Sequence, residues 1–185
     1  MHSDPRAIYQ EHLDEVNAAV LAHDPASILD RFTYPRFVGG LNGGYWQNSA
    51  EDVMRCLLSY SQRLAALGVT RIERVCLDAK QPEENLILGY HETYLLAGLQ
   101  LIEEPFMTEI VMRRVDGLWK SFRSQSAISS KEPFFSSEAE GTPGPAPRIE
   151  EALDGVSAFD PFLPNQDLAS KPIQPKKSAP PTDGA

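Results

Sequence analysis

An α+β domain over residues 1–128, followed by a Pro-rich and mostly disordered tail over residues 129–185, is what this sequence predicts. Three observations carry the prediction. Apolar residues recur at helical spacing up to Gly68 and near a period of two from there to about residue 127. Turn-forming residues punctuate the second half at hairpin spacing. Ten of the chain's fifteen prolines lie between Pro133 and Pro181. A length of 185 residues leaves room for one ordinary domain, and a hydrophobic fraction of 42% supplies a core without disulfides.

The first helix starts at Ser3 or Asp4, either of which can cap it with Pro5 in its first turn, and runs to about Ala22. Tyr9, Leu13, Val16 and Val20 form its apolar face. Asp24-Pro25 repeats the start signal for a shorter second helix with Ile28, Leu29 and Phe32 inward, which must stop before Pro35. Two Gly pairs and Asn42-Gly43, flanked by Phe37-Val38 and Tyr45-Trp46, predict a short hairpin. Ser49 with Asp52 three residues on is a capping box for a third helix carrying Val53, Leu57, Tyr60, Leu64 and Leu67, stopped by Gly68.

Four β-rich runs follow, at about 70–79, 85–97, 105–115 and 118–127. The joints between them (81–85, Ala97-Gly98 and Asp116-Gly117) are turns, so the strands form an antiparallel meander covered by the helical stripes. In the tail, residues 149–153 can form a helical turn, and the apolar cluster over 159–163 is a docking candidate.

A formal charge of -9 argues against affinity for nucleic acid or anionic lipid, which needs clustered Lys and Arg. Cys56 and Cys76 have no metal-ligand spacing and read as reduced core thiols. The Gly-rich stretch over 39–44 lacks the Lys-Ser or Lys-Thr of a phosphate loop, so turn formation explains it, and no metal or cofactor is expected. The first residues lack a basic segment followed by an apolar one, and no window reaches the length of a membrane span; the expectation is a cytoplasmic protein.

The order of two helices, short hairpin, long helix and four-stranded meander, ending in Asp116-Gly117-Leu118-Trp119-Lys120, resembles the nuclear transport factor 2-like superfamily, with the SnoaL-like polyketide cyclase branch nearest in style. The resemblance spans roughly residues 5–128. It implies a curved sheet wrapped around a helix as a cone with an internal apolar pocket, often dimerising through the sheet. Members include ketosteroid isomerase, scytalone dehydratase and limonene epoxide hydrolase, besides many without enzymatic activity. Their acid-base residues differ between branches, so none is carried over here.

Strand parity supplies the candidates. In the second strand one face carries Leu86, Leu88, Tyr90, Glu92, Tyr94 and Leu96, the other Ile87, Gly89, His91, Thr93 and Leu95. The first is richer in large apolar groups. In the third strand the Phe106 and Ile110 face is placed inward. With the Tyr90 face inward, Glu92 would be a desolvated carboxylate suited to general acid-base work, with Tyr34, Tyr90 and Tyr94 orienting a ligand oxygen. The competing reading pairs Glu92 with Arg114 at a rim. Trp46, Tyr60, Phe106 and Ile110 complete the candidate pocket, core packing being the alternative for the tryptophans.

His91 is the second acid-base candidate, and Glu109, Arg113 or Arg123 could share its face, which is also what a polar dimer interface looks like. His2, His12 and His23 read as surface residues. Three functions remain open: a small-molecule-binding domain taking an apolar ligand, a cofactor-independent isomerase, dehydratase or cyclase, and a homodimeric interaction module whose tail recruits a partner.

Overall fold

The computed structural model describes residues 4–41, 43–128 and 142–144. Helix α1, Pro5–Leu21, begins where Asp4 accepts a 3.0 Å hydrogen bond from the Arg6 amide, with Pro5 at the first helical position. Helix α2, Ala50–Ala66, opens on a complete capping box: the Asp52 amide donates to Ser49 Oγ (3.2 Å), and Asp52 Oδ2 accepts from the Ser49 amide (3.1 Å) and the Asn48 amide (2.9 Å). It ends before Gly68, whose φ of +71° supplies the left-handed step out of the helix.

The strands are β1 (Phe32–Gly40), β2 (Gly43–Gln47), β3 (Arg71–Glu83), β4 (Leu86–Ala97), β5 (Gln100–Leu101), β6 (Phe106–Val115), β7 (Leu118–Ser126) and β8 (Thr142–Gly144). They form one curved sheet in the order β3-β4-β6-β7-β1-β2-β8, with β5 paired to β4. The expected meander is β3, β4, β6 and β7, each antiparallel to its neighbour, and the expected hairpin is β1-β2. Asp116 and Gly117 both take positive φ (52° and 81°), so the β6-β7 turn is the one an Asp-Gly step favours. The joining step that sequence spacing did not reveal is β1 lying parallel to β7.

One local expectation is corrected. The second helix is a single 3-10 helix, Pro25–Arg31, because Phe32 is already extended in β1 and seven residues leave too little chain for a full α-helix. As expected, this helix stops before Pro35, which lies within β1 at the register shift between Phe32 and Phe37. Residues 149–153 and the 159–163 cluster lie outside the described residues. Thr142–Gly144, within the stretch the sequence assigns to the tail, pairs with β2.

Helix α1 lies against the edge strand β3 and supplies side chains to its unpaired backbone. Gln10 donates to the Arg74 carbonyl (2.8 Å) and accepts from the Cys76 amide (2.9 Å), while Arg6 donates to the Cys76 carbonyl (3.2 Å). An edge that would otherwise invite another strand is thereby occupied. Two apolar clusters fill the concave side. One joins Val20, Val53, Leu64 and Leu95; the other joins Tyr9, Leu13, Ile87 and Met112. Polar and apolar side chains meet between them.

Candidate functional site

The register across the sheet decides which side chains enter the cone. His91 on β4 pairs with Thr108 on β6, which pairs with Ser126 on β7; one row below, Gly89 pairs with Ile110 and Ile110 with Ser124. These rows face α1 and α2. On β4 the buried positions after Leu86, which is itself buried at the strand's start, are Ile87, Gly89, His91, Thr93 and Leu95, so the Tyr90, Glu92 and Tyr94 face is the outer one. The Phe106 and Ile110 face of β6 is inward.

Side-chain bulk misleads on β4 because the inner face must accept a helix at very short range. Tyr9 of α1 lies directly on Gly89, where a Cβ would come within 2.3 Å of the ring. A large residue in that row would expel the helix, so the bulky alternate set faces outward.

Between the two apolar clusters is a cavity with about 70 Å³ open to the centres of water molecules, several times what one water requires. Leu13, Val16, Leu57, Phe106 and Ile110 form its apolar wall. Its polar wall is His12 from α1, Arg36 from β1, and His91, Thr93, Ser121 and Ser126 from the sheet. Thr108 and Ser126 bond each other at 2.9 Å. His12 Nδ1, Arg36 Nε, Thr93 Oγ1 and Ser121 Oγ are buried without a partner among the described residues. Four such atoms around one cavity are unusual, because a buried unsatisfied polar group costs about 1–3 kcal/mol.

The imidazoles are held neutral. Burial, reinforced by Arg36, Arg31 and Arg74, brings His12 down to about 3. Burial also holds His91 well below the usual range, with Arg74 and His12 adding to it. The Tyr9 hydroxyl is 2.9 Å from both the Gly89 carbonyl and His91 Nδ1. A carbonyl only accepts and the phenol has one proton, so both contacts are satisfied when Tyr9 donates to Gly89 and accepts from Nδ1–H. That tautomer leaves His91 Nε2 as an acceptor.

The residues singled out from sequence are thus divided. Tyr60, His91, Phe106 and Ile110 line the cavity. Glu92 lies on the outer face, where it accepts a 2.5 Å bond from Tyr94, and its β6 neighbour is Met107 rather than Arg114. Tyr34 is more than a third exposed and donates to the Leu29 carbonyl at 2.7 Å. Trp46 packs edge-on against Phe37, ring centroids 5.6 Å apart. Glu109 and Arg123, expected beside His91, pair with each other across β6 and β7 on the opposite face.

His12, Arg36, Thr93 and the β7 serines were missed. His12 is not a surface residue but 3% exposed. The signal was present: it falls three residues after Tyr9 and four before Val16, inside the apolar stripe. Arg36 shares parity with Val38, so an inward Val38 carries Arg36 inward with it. His12 also borders a second hollow of about 170 Å³, beside Glu11, Arg31, Arg114 and Trp119, and so stands between the cavity and the surface.

Among the described residues, no group of three or more His, Cys, Asp and Glu side chains is placed to hold a metal ion. No helix among them is long and apolar enough to cross a membrane. Both cysteines are buried free thiols.

No protein-family model and no curated protein matches the sequence. Solved structures do. An NTF-2-like protein of unknown function from Shewanella oneidensis MR-1 aligns at 10% identity and a TM-score of 0.53, over 68% of this chain and 100% of that one. A domain of unknown function with a cystatin-like fold from Nostoc punctiforme gives 10% identity and 0.54, over 71% and 81%. An NTF2-like protein with a cystatin-like fold from Novosphingobium aromaticivorans gives 11% and 0.50, over 71% and 86%. At such identities the likeness is one of fold, and the fold is the nuclear transport factor 2-like one.

Proposed function

We propose that this nuclear transport factor 2-like domain binds a small molecule inside its cone. The observation that carries the reading is the set of four unpartnered buried polar atoms bordering one cavity with an apolar wall. A pocket that serves only packing would have its polar groups paired or replaced by apolar ones. The test is an NMR fragment screen on the full chain. Hits should shift the Ile110 and Leu57 methyl signals and those of Thr93, and Ser124→Leu, which fills the cavity from β7, should abolish them while the fold persists. A screen whose hits all map to the outer sheet face would end the reading.

A second reading, acid-base catalysis without a cofactor, is favoured by one feature: the Tyr9 contact that leaves His91 Nε2 as a free acceptor beside the cavity. A bound carbonyl compound would pass an α-proton to that nitrogen, the electron pair of the C–H bond moving onto the carbonyl oxygen as an enolate whose charge Arg36 in the same wall would face. Exchange of the α-protons of cyclohexanone in deuterated water should be faster with the protein than without, and His91→Gln should remove the acceleration. No acceleration by the unaltered chain, with cyclohexanone shown to bind, rejects it.

A further inference from the structure

Arg36 is 6% exposed, yet it belongs to none of the ion pairs among the described residues, and its Nε has no hydrogen-bond partner. Its guanidinium stands 4.4 Å over the Phe32 ring, a contact that steadies a cation without neutralising it. The ionisable groups whose negative charge would favour it are Cys56, Tyr45 and Tyr34, whose protons burial holds on, so they supply no negative charge. Burial lowers Arg36 itself only to about 10, leaving it charged at neutral pH. Arg74 adds a second guanidinium to the cavity wall and shares a hydrogen bond with Tyr60. Neither Asp nor Glu is among the residues lining the cavity.

A buried cation with no counter-charge is among the more expensive arrangements a protein can hold, so a fold that keeps one has a use for it. Removing water from around a guanidinium strengthens its attraction for an arriving anion, and its planar fork suits a carboxylate held by two parallel bonds. The hydroxyls of Thr93 and Ser121 offer further donors, and the wall of Leu13, Leu57 and Ile110 suits a compact apolar body. We infer that the ligand of this cavity is a small organic carboxylate, with Arg36 as the group that holds its negative charge. The inference rests on the cavity being a ligand site.

The experiment compares benzoate with its neutral isostere benzamide, and with inorganic phosphate, by calorimetry on the full chain and by the imidazole signals of His12 and His91. Benzoate should bind at least tenfold more tightly than benzamide and shift both imidazole signals, and phosphate should bind more weakly than benzoate. Arg36→Met should erase the preference while keeping benzamide affinity, and Arg36→Lys should restore part of it. Because Arg36→Met could fail to fold, the benzoate-to-benzamide ratio and the imidazole shifts in the unaltered chain stand as a test by themselves. Equal binding of the two compounds, or tighter binding of phosphate, overturns the carboxylate inference and leaves the cavity reading intact. If neither organic compound binds, the inference falls whatever the fragment screen finds.

Discussion

His12 and His91 enter the core as neutral rings and stay so because a charge there would lose its water beside Arg36 and Arg74. The consequence for stability has a definite sign. Both pKa values are lowered on folding, so above the unfolded value near 6.5 neither group makes stability depend on pH. Below it the unfolded chain takes up protons that the folded chain refuses, and stability falls by about 1.4 kcal/mol per pH unit for each ring. For His12 the loss continues down to about pH 3. Urea unfolding should therefore show His12 removing about 2 kcal/mol between pH 7 and pH 5, with His91 adding to the loss in the same direction. His12→Gln should make that slope shallower; an unchanged slope would mean that His12 is hydrated in solution. A second residue-scale consequence concerns Tyr9. Tyr9→Phe removes the hydrogen bonds to the Gly89 carbonyl and His91 Nδ1 and should cost about 1–3 kcal/mol. It should also release the ring from one tautomer, which its nitrogen shifts would report; unaltered shifts would remove Tyr9 from any positioning role.

Local chemistry makes elements easy to read where it is complete within a few residues. The α2 start is the clearest case, since Ser49 and Asp52 satisfy three amides by themselves. Ser49→Ala should lower the urea midpoint at constant slope, corresponding to about 1 kcal/mol, and no change in midpoint would show that the α2 packing face alone sets its start. Asp116-Gly117 announced its hairpin for the same reason: both positions need positive φ. The inner face of β4 was not legible, because it depends on Tyr9, 80 positions away in sequence, lying on Gly89. Arg36 became a cavity residue only through the parallel β1-β7 pairing, which no turn signal announces. The strand-borne part of the polar wall was therefore hidden for a physical reason: Arg36, Thr93 and the β7 serines are each unremarkable in their own strands, and cross-strand register brings them together.

At the scale of the whole molecule, the boundary of the folded unit is the remaining question the sheet raises. The sequence pattern dissolves near residue 128, where the expected tail begins. Beyond that point Thr142–Gly144 adds a strand to β2, with Trp46, Tyr45 and Gly44 opposite Thr142, Pro143 and Gly144. Period and propensity could not show this, because a three-residue strand containing a proline is too short to have a period. Without β8, the β2 strand becomes the sheet edge, its amides open to water and to other chains. A chain ending at Arg148 should therefore keep the full chain's amide-exchange rates in β2, whereas one ending at Ile128 should exchange faster at Gly44 and Trp46 and aggregate more readily. Equal β2 exchange in the two truncated chains would show that the β2-β8 pairing contributes nothing. The cavity wall provides the control: β2 supplies none of its lining residues, so the benzoate-to-benzamide ratio should be the same in both truncated chains even where the β2 edge differs.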